Sequence, residues 1–305
     1  GQKYFMVEYV MNHVMKLENL SFILDYKKTI GKRIHNMEVR IKFAKYDTMK
    51  FISHLEVMRY FQKAVRRSGL DVAYSEGFNP HQIMSFAAPL GVGQTSESEY
   101  FDIELHTAPS MEELVERLNA VMTNGMYILA AEELPPPVPQ VKRETAMALV
   151  AASSYLVMKK DGYEEDDISI EQLKEKFAQF ISQETIPVIK KTKKAETEVD
   201  LAKLIFEASS TGKITKFSGQ YENGLVFYML LSAGSVNNIK PDTVMEAFYT
   251  FLGKDYNPHA YQVHRLETYA DLSLRKVSSE EIAKKIQEGT LPERKLVPLM
   301  EYHKH

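Results

Sequence analysis

Cysteine is absent from the 305 residues, which removes disulfides, thiolate zinc sites, iron–sulfur clusters and cysteine nucleophiles from the chemistry open to this chain. A reducing, cytoplasmic setting is the expectation that follows. Strong net charge is also missing. The 38 Lys and Arg stand against 41 Asp and Glu, a balance of -3 at pH 7, so nothing draws the whole surface to nucleic acid or to an anionic membrane, and any basic site has to be local. Long apolar runs are lacking as well. The best of them, Ala146 to Met158, has 13 residues with Ser153 and Ser154 inside it, against the roughly 20 that span a bilayer. Near the start, Glu8, Asn12 and His13 interrupt the apolar letters of Tyr4 to Met15 and no small-residue cleavage site follows, so a secretory signal is not expected. No Walker glycine-lysine loop, strand-coupled GxGxxG, GxSxG or HExxH occurs, and Gly91-Val92-Gly93 is too short to count. The aromatic ladder of an RNA-recognition motif is missing too.

What is present is an ordinary globular composition, 44% hydrophobic and 26% charged, long enough for two cores. From Met37 the chain alternates apolar and charged residues, the pattern of a half-buried strand. Residues 1–36 carry only a weak helical stripe and are expected to be an N-terminal extension, with Met37 a natural start. Glu38 to Phe43 then reads as a strand, extending toward Ile52. His54 to Ser68 reads as a helix with Ser53 as its N-cap and Gly69 as its stop. Val72 to Ser75, Ser85 to Pro89 and Tyr100 to His106 read as strands. Met111 to Met122 is a helix opened by a Ser110/Glu113 capping box, and Met126 to Glu132 is a closing strand.

Pro135, Pro136, Pro137 and Pro139 mark a stiff connector over 135–145. Beyond it the element order recurs: strand Ser154 to Lys160, helix Ser169 to Gln183, strands Val188 to Thr192 and Val199 to Ser209, strand Leu225 to Ser232, helix Pro241 to Leu252, strand Tyr261 to Thr268. The expected fold class is α+β, with two tandem ferredoxin-like β-α-β-β-α-β domains over 37–134 and 146–271, antiparallel sheets and helices on one face. The tail, 272–305, holds a short helix, Glu280 to Gln287, and an end expected to be frayed that carries His303 and His305.

Charge is distributed unevenly. On the first helix, Arg59, Lys63, Arg66 and Arg67 fall within an arc of roughly 100°, opposite Val57, Met58, Phe61, Ala64 and Val65. With Arg40, Lys42, Lys45 and Lys50, the segment 38–67 holds eight bases against Glu38, Asp47 and Glu56. From Asp71 to Glu133 there are eleven carboxylates and one base, Arg117. A domain polarised in this way suits an anionic partner on one side, although a solvated helix face has the same pattern. A second run, Lys190, Lys191, Lys193 and Lys194, either faces the same ligand or guards an exposed strand, and Glu198 and Asp200 read as solvent-facing.

The other concentration is the loop Tyr74, Ser75, Gly77, Phe78, Asn79, Pro80, His81, followed by Ser85 and Phe86. Glycine and Asn-Pro shape the backbone, Asn and His donate and accept, and Phe can stack on a base. If His54 meets His81, two histidines and a hydroxyl suffice for general acid–base work; they serve equally as a hydrogen-bonded scaffold. No third ligand at metal spacing accompanies them.

These residues resemble a known family. Phe51-Ile52-Ser53-His54-Leu55-Glu56-Val57-Met58-Arg59, Arg66-Arg67-Ser68-Gly69-Leu70 and Ala73-Tyr74-Ser75-Glu76-Gly77-Phe78-Asn79-Pro80-His81 are similar to the bacterial radical SAM-linked protein family, a conserved domain of unknown function. Ser85-Phe86-Ala87, Pro89-Leu90-Gly91-Val92-Gly93 and Glu99-Tyr100-Phe101-Asp102 continue the likeness, with Val199-Asp200-Leu201 and Val263-His264-Arg265 as weaker echoes. Gln82 and Ile83 depart from it, where many members have proline followed by a base. The resemblance implies an accessory to a radical SAM protein, often with a cobalamin-binding-like region and often encoded near ribosome-related genes. S-adenosylmethionine, the iron–sulfur cluster and any cobalamin would belong to that partner, because this chain has no cysteine for a CxxxCxxC motif.

The leading expectation is therefore a non-catalytic protein that docks on a radical SAM enzyme and presents RNA, with tRNA and rRNA as candidates. Lys50, His54, Arg59, Lys63, Arg66, Arg67, Tyr74, Ser75, Phe78, Asn79 and His81 are its expected contact residues. The alternatives are an RNA-processing enzyme using His54 or His81, without the Arg-Thr-Asp signature of a pseudouridine synthase, and a pure protein–protein adaptor.

Overall fold

The computed structural model describes residues 36–136, 144–163, 167–191, 196–234, 238–274, 277, 279–288, 290 and 293–304. The alternation that begins at Met37 produces β1, Met37–Lys45, in which Val39, Ile41 and Phe43 are buried. It does not run on as strand to Ile52. Asp47 takes φ 50°, and hydrogen bonds from Met49 N to Tyr46 O (3.1 Å) and from Ile52 N to Met49 O (3.3 Å) wind Asp47–Phe51 into a 3-10 turn.

Helix α1, His54–Ser68, has the N-cap and stop its sequence predicts: Ser53 caps it, in a reciprocal capping box with Glu56 that the structure adds, and Gly69 closes it at φ 67°. The strand expected over 72–75 is shorter, because after β2 (Asp71–Val72) the chain leaves the sheet as an arm. Ile83 N returns to Ala73 O (3.0 Å) and Tyr74 bridges Gln82 before β3, Met84–Phe86. There follow β4 (Thr95–Thr107), α2 (Met111–Asn119) and β5 (Met126–Glu133). Only half of the expected Ser110/Glu113 capping box forms: Ser110 accepts from Glu113 N at 3.2 Å, while the Glu113 carboxylate lies 3.8 Å from Arg117.

The remaining elements are α3 (Ala146–Leu149), β6 (Val150–Lys159), α4 (Ile170–Ile181), β7 (Pro187–Lys191), β8 (Glu196–Asp200), β9 (Ile205–Ser209), β10 (Val226–Ser232), α5 (Pro241–Phe251), β11 (Tyr261–Asp271), α6 (Ser279–Glu288) and β12 (Leu296–Pro298). The single strand expected over 199–209 is broken. The Asp200 carboxylate accepts from Ile186 N (2.9 Å) and Ala202 N (3.1 Å) and starts a 3-10 turn at Leu201–Lys203, so β8 pairs with β7 apart from the main sheet while β9 joins β10.

The fold is mixed α/β around a large, mostly antiparallel sheet ordered β5-β1-β4-β11-β6-β10-β9, with β2 and β3 also on β4 and β12 on β11. One parallel contact, His264 to Thr95 and Arg265 to Ser96, joins the two halves of that order. Phe61 and Leu114 from α1 and α2 bury Phe43 and Phe101 of the first half, and Phe177 and Phe248 from α4 and α5 bury Phe227 of the second. Ring centroids 4.5 Å apart at Phe43–Phe61 and Phe177–Phe227 mark the centres of these cores.

Because side chains alternate along a strand, Arg40, Lys42, Tyr100 and Asp102 point to the other face, where they form polar cross-links. Arg40 is buried against Asp102 in two hydrogen bonds of 2.8 and 3.0 Å. Glu267 of β11 accepts from Lys42, Ser98 and Tyr100, tying the second half to the first. The end of the chain is packed rather than frayed: Leu299–Lys304 is a 3-10 helix with Leu299 and Tyr302 buried, and Leu299 O accepts from Arg40 Nη1 at 3.2 Å. Among the described residues no helix is long and apolar enough to cross a membrane.

Candidate nucleic-acid interface

α1 sorts its side chains by angle. Val57, Phe61, Ala64 and Val65 are buried against the sheet, while Arg59, Lys63, Arg66 and Arg67 lie exposed on the outer face. Arg67 Nη2 donates to Val121 O at 3.0 Å. Among the described residues no carboxylate makes an ion pair with any of the four. Glu56, the acid on the same helix, is hydrogen-bonded to the cap: its carboxylate accepts from Ser53 N at 2.6 Å, and that backbone bond, joined by the Ser53 side chain and more weakly by the charges of Arg59 and Lys45, holds its pKa below the ordinary value of 4.5. Arg59 and Arg66 are seven residues apart, about 10 Å along a helix that rises 1.5 Å per residue.

Three of the other four bases of segment 38–67 do not extend this surface. Arg40 and Lys42 serve the back of the sheet, as described above. Lys45 is buried and donates to Lys50 O (3.4 Å) and Ile52 O (3.0 Å), which anchors the turn Asp47–Phe51 from beneath. Desolvation lowers its pKa from 10.5, Glu99 opposing and Arg265 adding to the effect. Lys50 donates to Gln262 Oε1 at 3.0 Å and lies 5.2 Å from the Phe51 ring centre. Arg40, Lys42 and Lys45 are thus internal wiring, while Lys50 stays beside the exposed Phe51 ring.

In the arm between β2 and β3, Ser75 and His81 fasten the base. Ser75 N donates to His81 O (2.8 Å), His81 N donates to Ser75 Oγ (3.1 Å), and Ser75 Oγ lies 2.8 Å from His81 Nδ1. Gly77 takes φ 111°, a conformation that favours glycine, and carries the chain round to Phe78. Phe78 is fully exposed at 105%, with Tyr74 at 44% and Asn79 also exposed. His54 is elsewhere engaged: its ring meets Phe86 edge-on at 5.7 Å. Among the described residues no hydrogen bond joins His54 to His81.

Several residues at this end of α1 escaped the sequence reading. Phe51, Leu55 and Val92 are 64%, 64% and 62% exposed, and Gly93 N donates to Lys50 O at 2.8 Å, which brings the Val92 loop to the turn that carries Phe51. Beneath them Lys45, His54, Phe86 and Glu99 line a cavity of about 10 Å³, roughly the room one water needs. Glu99 accepts from Arg265 Nη1 at 3.0 Å, a contact from the second half. Lys45 had a signal: it sits at the core-facing end of a strand, where a lysine is out of pattern.

In the second half, Glu198 is exposed, and Asp200 is committed to Ile186 and Ala202. Lys190 and Lys191 lie in β7 with their side chains outside the described residues, as are Lys193, Lys194, His305 and most of the proline connector. Among the described residues no group of three His, Cys, Asp or Glu could hold a metal ion.

Residues 38–241 match the model of a family described as an uncharacterized protein conserved in bacteria, DUF2344. No curated protein matches the chain. The match takes in 204 of 305 residues, including β1, α1 and the arm, and the chain belongs to this family.

Proposed function

We propose that this member of the family is a non-catalytic accessory protein of a radical SAM enzyme that holds RNA, tRNA or rRNA, along the outer face of α1. The observation that carries the RNA part is the exposed stripe of Arg59, Lys63, Arg66 and Arg67 on a helix capped at both ends. Exposed cations that make no ion pair suit phosphate, which arginine grips with paired donors. The partner is inferred from the motifs of Phe51 to Asp102; S-adenosylmethionine, the iron–sulfur cluster and any cobalamin would be the partner's.

Each half reads as a ferredoxin-like unit. Support comes from the strand orders: β5-β1-β4 followed by β2 and β3 in one half, and β11-β6-β10-β9 in the other, each placing the fourth strand first, then the first, third and second. Two such units side by side form a rigid base for α1. An enzymatic reading gains less support, since His54 and His81 have separate partners, Phe86 and Ser75.

The test is a salt titration of binding to total small RNA. The wild type is expected to bind with a steep salt slope, and Arg59→Ala/Arg66→Ala/Arg67→Ala to flatten it by about 2, near 0.7 per lost single-strand phosphate contact. No binding by the wild type at low salt, or an unchanged slope in the variant, refutes the RNA part. Co-purification with a radical SAM protein in the absence of RNA binding would leave the adaptor.

A further inference from the structure

The stripe on α1 does not end at its last arginine. Counted backward from Arg66 and Arg59 along the helix, the same outward direction leads to exposed Leu55, and Phe51 ends the turn Asp47–Phe51 that leads into the helix. Phe51 is 64% exposed, which for a large apolar ring calls for an explanation. Its mounting is not loose. The turn that holds it is pinned from below by buried Lys45, through the carbonyls of Lys50 and Ile52. It is pinned from the side by Gly93 N on Lys50 O. Gln262 ties both neighbours together, accepting from Lys50 Nζ and donating to Gly93 O at 2.9 Å. Gly125 supplies the last support, with its carbonyl accepting from Tyr46 N at 2.9 Å.

We infer that Phe51 is a stacking platform for an unpaired base, and that the RNA held by α1 is single-stranded where it crosses this end of the helix. The inference rests on the RNA reading above and adds the substrate class. A rigid, exposed ring has lost little freedom on folding that binding must remove, and every base offers a flat face to it. Lys50, 5.2 Å from the ring centre, adds a cation beside the platform, and Arg59 stands in the second turn of α1. A duplex cannot use such a ring, because its bases are already stacked on one another. The same patch could seat an apolar protein segment; Lys50 beside Phe51 and the arginine stripe on the helix that follows favour a polyanion with flat bases.

The experiment uses the full chain and three probes of equal length: a single-stranded oligouridylate, a single-stranded oligoadenylate and an RNA duplex, followed by fluorescence anisotropy. Both single strands are expected to bind at least about 10-fold tighter than the duplex. Phe51→Ala is expected to weaken single-strand binding by about 5- to 100-fold, the range of one lost base stack, with the salt slope and the weak duplex binding unchanged. Phe51→Tyr should restore most of the affinity, which a merely disturbed turn would not allow. Duplex binding as tight as single-strand binding overturns the inference and leaves the RNA reading standing. Unchanged single-strand affinity in Phe51→Ala does the same and turns the patch over to a protein partner. Failure of the wild type to bind any of the three probes removes both.

Discussion

Replacing Asp102 by asparagine measures how deeply one of the bases in segment 38–67 is committed to structure. The Asp102 carboxylate accepts Arg40 Nε at 2.8 Å, Arg40 Nη2 at 3.0 Å and Ala146 N at 3.1 Å, all buried. Asparagine keeps one acceptor and sets an NH2 group against the donors that met the other oxygen, while Arg40 keeps its charge with 0% exposure. Hydrogen bonds to charged groups contribute about 1.5–3 kcal/mol each, and stranding a buried charge costs about 3–5 kcal/mol. A loss near 3–5 kcal/mol is therefore expected for Asp102→Asn, read as a fall in the urea midpoint by circular dichroism at unchanged slope. Arg40→Met and the double variant complete a cycle, whose coupling is expected at about 2–3 kcal/mol. A loss below about 1 kcal/mol for Asp102→Asn, or coupling below about 0.5 kcal/mol, would refute the argument that this pair holds the sheet's back face. Because Arg40 is internal, Arg40→Met should also leave the salt slope of RNA binding unchanged, whereas the α1 variants flatten it.

Other expectations follow from the same geometry. Ser53→Ala removes one half of the capping box on α1 and should cost about 1 kcal/mol in the same unfolding assay; no change would mean the first turn is held by packing alone. Glu97 carries a pH prediction. Burial by itself would raise its pKa, but His264, whose Nε2 lies 3.8 Å from the carboxylate, together with Thr215 and the Lys42 charge, brings it below the ordinary 4.5. A carboxylate lowered in the folded state adds stability above its unfolded pKa and loses it as pH falls through the folded value. The wild type should therefore lose stability on acidification below about pH 4.5, and Glu97→Gln should flatten that acid limb; identical acid limbs would count against the assignment. Gly125 sits at φ 90°, where a Cβ would stand 2.6 Å from Met49 Cγ and 2.8 Å from Tyr46 O. Gly125→Ala should destabilise by about 1–3 kcal/mol and weaken single-stranded RNA binding along with Phe51→Ala, since the turn beneath Phe51 must shift; wild-type affinity in that variant would show that the turn's position is immaterial.

Much of the local structure was legible in the sequence because its causes are local. The period of β1, the Ser53 N-cap and the Gly69 stop depend on residues close to one another in the chain. The places where the reading failed have equally specific causes. Ser110 and Glu113 have the spacing of a box, yet Arg117 takes the neighbourhood of the glutamate. Apolar letters continue from Val199 to Ala208, yet Asp200 turns the chain out of one sheet and into another. The tail from Leu299 looks solvated by composition, yet it covers the buried pair Arg40–Asp102.

The stripe of α1 was a property of sequence alone: once the helix forms, 100° per residue places Arg59, Lys63 and Arg66 on the face opposite Phe61. Which bases belong to the surface was not. Arg40 and Asp102 are 62 positions apart, Lys42 and Glu267 are 225, and Lys50 and Gln262 are 212. No periodicity reaches across such distances; only the pairing of strands decides which charge is buried against which, and the sheet order that joins β4 to β11 made that decision. The exposure of Phe51 belongs to the same class, because the turn that displays it is held by a lysine beneath it and by a glutamine from the far half of the chain.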